Sequence, residues 1–293
     1  MRHGFSRTVL LVLLAGAILV SGCARIPYRY GDKIEMEKTL KLRDGEPQVE
    51  RGRPNAFLDG IGHYVISLPS KLILWNWKVD NHRITKDTED AVTRYLAEND
   101  LKNVKVRVNQ CSPSGEFRRL FKNKAVGGGW RYTLGILSVA SYTIMPGRFW
   151  GGDNYNPYTN TVNLYSDHPA IALHEGGHAK DFAGKKLKGT YAAIRLLPIV
   201  PLFQEGKATG DAIGYYIDKD YRTEQKNAYK ILYPAFGTYV AGEGTRWFGP
   251  PWLQYASSLI GAIPGHIVGR IKAAGVEDKP TQQAALQYSG ETQ

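Results

Sequence analysis

Cysteine is close to absent: the 293-residue chain carries two, Cys23 and Cys111. Two thiols cannot build a disulfide framework or a cysteine-rich zinc site, so stability has to come from burial. Long apolar runs are also missing. The run from Val9 to Val20 falls short of the ~20 residues that a bilayer-spanning helix requires. No internal repeat is visible, and no linker rich in Pro or Ser divides the chain after its first residues, which favours one domain. Acidic residues are the minority charge, 27 Asp and Glu against 38 Lys and Arg, for a formal net charge of +11. With 22% charged and 43% apolar residues, the chain is neither a disordered acidic tail nor a low-complexity polymer, and a sizeable core is available.

What is present begins at the N-terminus. Arg2 and Arg7 precede the apolar run, and Ser21, Gly22 and Cys23 follow it, which is the layout of a signal peptide. The segment Val20-Ser21-Gly22-Cys23 resembles a bacterial lipoprotein lipobox. That resemblance implies cleavage after Gly22 and a lipid anchor on Cys23, and Ala24 in place of Asp leans toward the outer rather than the inner membrane of the cell envelope. Such a compartment offers little nucleic acid, so the basic excess matches anionic headgroups or an ordinary solvated surface. The expected organisation is a leader over residues 1–22, a tether over 23–56, one domain over 57–276 and a flexible tail over 277–293.

Within the domain, Phe57 to Trp77 mixes aromatic and aliphatic residues, as a core helix pair or a patch against a membrane would. Lys86 to Glu98 places Ala91, Val92, Tyr95 and Leu96 on one face behind Asp87, Glu89 and Asp90, so a helix is expected there. Val104, Val106 and Val108 alternate with polar residues and read as a strand. Tyr132 to Met145 is expected to be a buried helix, and Thr161 to Tyr165 a second strand. Gly261, Gly265 and Gly269, four apart, suggest close helix packing, internally or at a membrane surface.

The chemistry concentrates in Leu173-His174-Glu175-Gly176-Gly177-His178. On a helix, residues four apart share a face, so His174 and His178 can grip one metal ion with Glu175 beside them. Zn2+ held by two imidazoles and a carboxylate keeps a fourth position for water and lowers the pKa of that water to about 7, within reach of Glu175 as general base. Pro169 and Ala170 open the helix, with Asp167 or His168 near the cap. Gly176 and Gly177 cost about 1 kcal/mol each relative to alanine, so a neighbour must approach closely enough to offset them.

This segment resembles the zincin metallopeptidases. The resemblance implies a helix-rich α+β domain whose small mixed sheet has an edge strand, here expected at residues 160–165, just before the HExxH helix. It also implies a peptide-bond substrate. No metzincin Gly-x-x-His continuation follows, so the third ligand is expected to be a carboxylate. Glu205, with Ala208 three residues on, resembles the gluzincin pattern, although Thr209 stands where several gluzincins carry Asp. Asp211 and Glu224 are the alternatives. Tyr215, Tyr221, Tyr233 and Tyr239 are candidates for stabilising an oxyanion. The expected function is a membrane-anchored zinc metallopeptidase acting on envelope proteins or peptides. The rival readings are a catalytically inactive zincin-like binding or structural lipoprotein, and a structural lipoprotein in which the HExxH is accidental.

Overall fold

The computed structural model describes residues 40–246 and 250–278. The leader 1–22, the anchor candidate Cys23, the tether up to residue 39 and the tail from 279 lie outside the described residues. The chain forms an α+β structure, rich in helix, around a small mixed sheet. The strands are β1 (Val49–Arg51), β2 (Lys105–Val108), β3 (Asn154–Asn156) and β4 (Thr161–Leu164), in the order β1-β2-β4-β3. β1, β2 and β4 run parallel, while β3 pairs antiparallel with β4.

Two expectations change here. β1 falls within the stretch read as a tether, because a three-residue strand bounded by polar residues has no periodicity to reveal it; the fold therefore starts before Phe57. The strand that precedes the HExxH segment, β4, is an interior strand, and the edge belongs to β3, which folds back on it through the turn formers Pro157 to Asn160.

The alternation in β2 marks a strand, yet both of its faces are covered. Lys105 and Arg107 are buried and held by carboxylates: Lys105 Nζ lies 2.6 Å from Glu50, and Arg107 lies 2.7 Å from Glu50 and 2.8 Å from Glu116. Glu116 comes from α4 (Pro113–Lys122), which packs over that face; α1 is Ala56–Ile61, α2 is Leu68–Leu74 and α3 is Lys86–Glu98.

Helical turns at Gly128–Trp130 and Arg131–Gly135 run into α5 (Ile136–Ile144). This stretch was expected to be buried, but Leu137, Ile144 and Met145 are exposed and only Gly135 and Val139 are covered. Leu137 and Met145 are exposed because they line one wall of an open cleft. The helices that follow are α6 (Pro169–Ala183), α7 (Lys188–Ala193), α8 (Val200–Asp218), α9 (Arg222–Arg246) and α10 (Pro251–Ala274). α6 is central, touching α3, α8, α9 and the sheet. The main core gathers Val92, Tyr95 and Leu96 of α3, Val106 and Val162 of the sheet, Leu173 of α6 and Ile213 of α8.

The glycines of α10 do pack internally. A Cβ on Gly265 would lie 2.5 Å from Pro234 Cα, and Gly261 and Gly269 meet the backbone of Gly237 and Tyr229 on α9 just as closely. The α1–α2 region does not form a core pair. It turns polar residues inward, where Lys71 donates to Asp80 O at 3.1 Å and to Ser67 Oγ, and turns its aromatic and aliphatic residues outward.

Candidate metal centre

α6 starts where its sequence says it should. His168 is the N-cap and its Nδ1 accepts from the Ala170 N–H at 3.3 Å, with Pro169 in the first turn. Burial lowers the His168 pKa to about 4, so the ring stays neutral and keeps its lone pair for the cap. The preceding residue serves a second helix: Asp167 accepts from Thr85 N, Thr85 Oγ1 and Thr88 Oγ1 at 2.7–2.9 Å, which ties the start of α3 to the start of α6. The glycine pair is explained by proximity. A Cβ on Gly176 would sit 2.7 Å from the Tyr95 ring, and one on Gly177 would sit 3.0 Å from Ala208 O on α8.

That close approach of α6 and α8 brings Glu205 to the two histidines. Its Oε2 lies 3.0 Å from His174 Nε2 and 3.3 Å from His178 Nε2, and all three residues are buried. Their ligand atoms fall within 4.8 Å of one another. Two imidazole nitrogens and a carboxylate oxygen converging on one point form the donor set that zinc takes when an open coordination position is kept, so the residues fit the ion. A metal taken by Nε2 would put the proton on Nδ1, and His174 Nδ1 is 3.3 Å from Thr209 Oγ1, a partner that can hold the ring in that state. Thr209 thus has a role at the position where the gluzincin pattern carries Asp.

Charge reinforces the geometry. Burial alone would raise the Glu205 carboxyl, but its contacts with His178 and His174 and the Arg195 guanidinium hold it well below the usual carboxylate range. Burial pulls His174 down, yet the hydrogen bond and charge of Glu205 outweigh it and the net direction is upward. For His178, burial wins and the direction is downward. Glu175 is pushed up to about 8 by burial, with the charges of Glu205 and Asp153 adding to the rise.

Glu175, His178 and Glu205 line a cleft of about 590 Å³, with β3 and α5 on its walls. The other acids proposed as ligands are used elsewhere. Asp211 accepts from Lys180 at 2.8 Å and from Tyr95 Oη, and Glu224 lines a separate hollow with Tyr216 and His168. Of the four tyrosines considered, only Tyr239 lines the cleft. Tyr215 packs against Tyr95 and Tyr221, and Tyr233 is buried beside Tyr229. The charge of Glu205 and then burial raise the Tyr239 phenol, which keeps it a hydrogen-bond donor.

Two cleft residues carry no motif in the sequence. Arg195 reaches Glu205 Oε1 from a short 3₁₀ turn after α7 and lies 3.3 Å from Gln204 Oε1. Asp153 accepts from the amides of Tyr165 and Ser166 at 2.7 and 3.0 Å, and burial with the charge of Asp80 pushes its carboxyl up to about 6. A run of turn formers before a strand was the only signal for Asp153, and nothing marked Arg195. No family model, curated protein or solved structure matches the chain.

Proposed function

We propose that the chain is a zinc-dependent metallopeptidase of gluzincin type, anchored in the cell envelope through Cys23 and hydrolysing peptide bonds in envelope proteins or peptides. One observation carries the proposal: His174 and His178 converge on Glu205 while Glu175, one residue along the same helix, lines the cleft they share. Bound zinc supplies Lewis-acid chemistry, lowering the pKa of a water and polarising a carbonyl. Glu175 takes the proton of the attacking water and returns it to the leaving amine, from its place on the wall of the cleft beside the first histidine. Tyr239 presents a phenol O–H and Arg195 a guanidinium on the wall of the same cleft, where negative charge develops on the carbonyl oxygen. Arg195 also holds Glu205 ionised, as a metal ligand must be.

The anchor is supported by the Val20-Ser21-Gly22-Cys23 segment. Among the described residues, no helix is long and apolar enough to cross a membrane.

The test is turnover of a quenched fluorescent peptide library by the wild type and by Glu175→Gln, with zinc measured in both. The variant is expected to keep its zinc and to lose about 10²–10⁴-fold in kcat, the usual contribution of a positioned general base. Equal turnover by the two would contradict the role of Glu175. Zinc without turnover in either would leave a metal-holding module in place of an enzyme.

A further inference from the structure

Among the described residues, an exposed apolar surface is formed by two helices that do not line the cleft. On α10, Ile260, Ile263, Ile267 and Ile271 recur at helical spacing along one side and are each between 50% and 67% exposed, while the glycines on the opposite side pack on α9. α2 repeats the arrangement with Leu68 and Leu72, its C-cap Trp75 is exposed just beyond, and Tyr64 and Val65 precede it in the adjoining turn. The two rows are joined. Trp75 stacks on His266 with ring centroids 4.0 Å apart, Arg270 sits 4.6 Å over the Trp75 ring, and His266 Nε2 meets Ile73 O at 2.7 Å. An apolar face of this extent on a folded chain marks a place where something else binds.

Its composition points to a lipid surface. There is no Asp or Glu between Gly60 and Lys78 or between Pro251 and Ala274, whereas Lys78, Arg270 and Lys272 flank the apolar rows. Exposed Trp75 and Trp77 supply the amphipathic rings that settle at the headgroup level of a bilayer, and nearby cations add attraction to anionic lipids. α2 buries its polar side and exposes its apolar side, the reverse of a helix facing water and the arrangement of one lying in a membrane interface. An anchor at Cys23 would sit within roughly 60 Å of Leu40 even with the chain fully extended, close enough for a weak second contact to be populated.

We propose that the outer face of α2 and α10 is a second membrane contact, which docks the domain on an anionic phospholipid surface and so fixes the cleft relative to the bilayer. The proposal shares with the proposed function only the anchor at Cys23, and the mass of the purified chain reports that anchor independently of any docking.

The test uses the whole chain with Cys111→Ser, reconstituted into vesicles of phosphatidylcholine alone or with phosphatidylglycerol. A nitroxide is attached after Leu72→Cys, Ile263→Cys or Ile267→Cys, and after Lys102→Cys, on the exposed turn between α3 and β2, as a control outside the face. In the anionic vesicles, labels at 72, 263 and 267 should gain oxygen collisions and lose access to a water-soluble nickel chelate, while the label at 102 should not. Ile263→Glu combined with Ile267→Glu should return the label at 72 to the aqueous signal. Nickel access at 72, 263 and 267 equal to that at 102 in both vesicle types overturns the proposal. So does shielding accompanied by spin–spin broadening between like positions, which would place a second copy of the chain on this face.

Discussion

Glu205 sits between two imidazoles and a guanidinium, with Oε2 facing His174 and His178 and Oε1 facing Arg195. A carboxylate held this way is preorganised to ligate an ion, because it is already ionised and already aimed. Thr209 extends the same logic to His174: Thr209→Val removes the partner of Nδ1 at nearly constant volume, and should weaken zinc affinity about 10- to 100-fold in competition with a calibrated chelator. Unchanged affinity would mean that the ring is oriented by packing alone. His174, Glu175 and His178 were legible because an i, i+4 pair is a local property of a helix. Glu205 was legible as a candidate because Ala208 and Ala212 advertise a close helix face, and the geometry separates it from Asp211 and Glu224. Arg195, Asp153 and the choice of Tyr239 were not legible, since each reaches the cleft through the path of the whole chain and not through its neighbours in sequence.

The helix that carries the motif depends on its cap. Neutral His168 accepts the Ala170 N–H, and its folded pKa of about 4 lies below the unfolded 6.5. On acidification the unfolded chain takes up this proton first. The stability that His168 contributes is therefore complete above pH 6.5 and is lost as pH falls toward 4, by up to about 3 kcal/mol at roughly 1.4 kcal/mol per pKa unit. Chemical denaturation across that window should show the slope in the wild type and a shallower one in His168→Asn, whose cap does not titrate; parallel curves would count against the cap. Two packing predictions belong to the same scale. Gly265→Ala should cost about 1–3 kcal/mol despite the better helix propensity of alanine, because its Cβ would meet the backbone of α9 rather than a movable side chain. Arg107→Ala should cost about 3–5 kcal/mol in denaturant titrations, since it leaves the buried Glu116 carboxylate without its cation. The bounds of α3 and the start of α6 could be read from apolar spacing and capping residues. β1 and the edge position of β3 could not, because three-residue strands carry no period and sheet order is set by tertiary pairing. Nor does alternation reveal that the polar side of β2 is covered and paired with the carboxylates of Glu50 and Glu116.

At the scale of the molecule, composition describes an ordinary basic protein, and only the structure reveals how its apolar residues are distributed. Phe57 to Trp77 and α10 hold enough aliphatic and aromatic side chains to build a core, yet much of that surface points outward, since packing partners are chosen by shape and not by hydropathy. The same scale sets the consequence of metal loss. An ion bound by residues from α6 and α8 favours the folded state alone, so chelation should lower the Tm of the whole domain, by an amount equivalent to about 4 kcal/mol where free zinc exceeds Kd a thousand-fold. The central claim is tested most directly by zinc stoichiometry, measured by mass spectrometry of the element on purified, desalted protein after titration with zinc. The wild type and Glu175→Gln are expected to hold one zinc per chain, and His174→Ala and Glu205→Ala to hold none. A wild-type chain that retains no zinc, or retains it equally in all four proteins, would contradict the metal centre and the peptidase reading that depends on it.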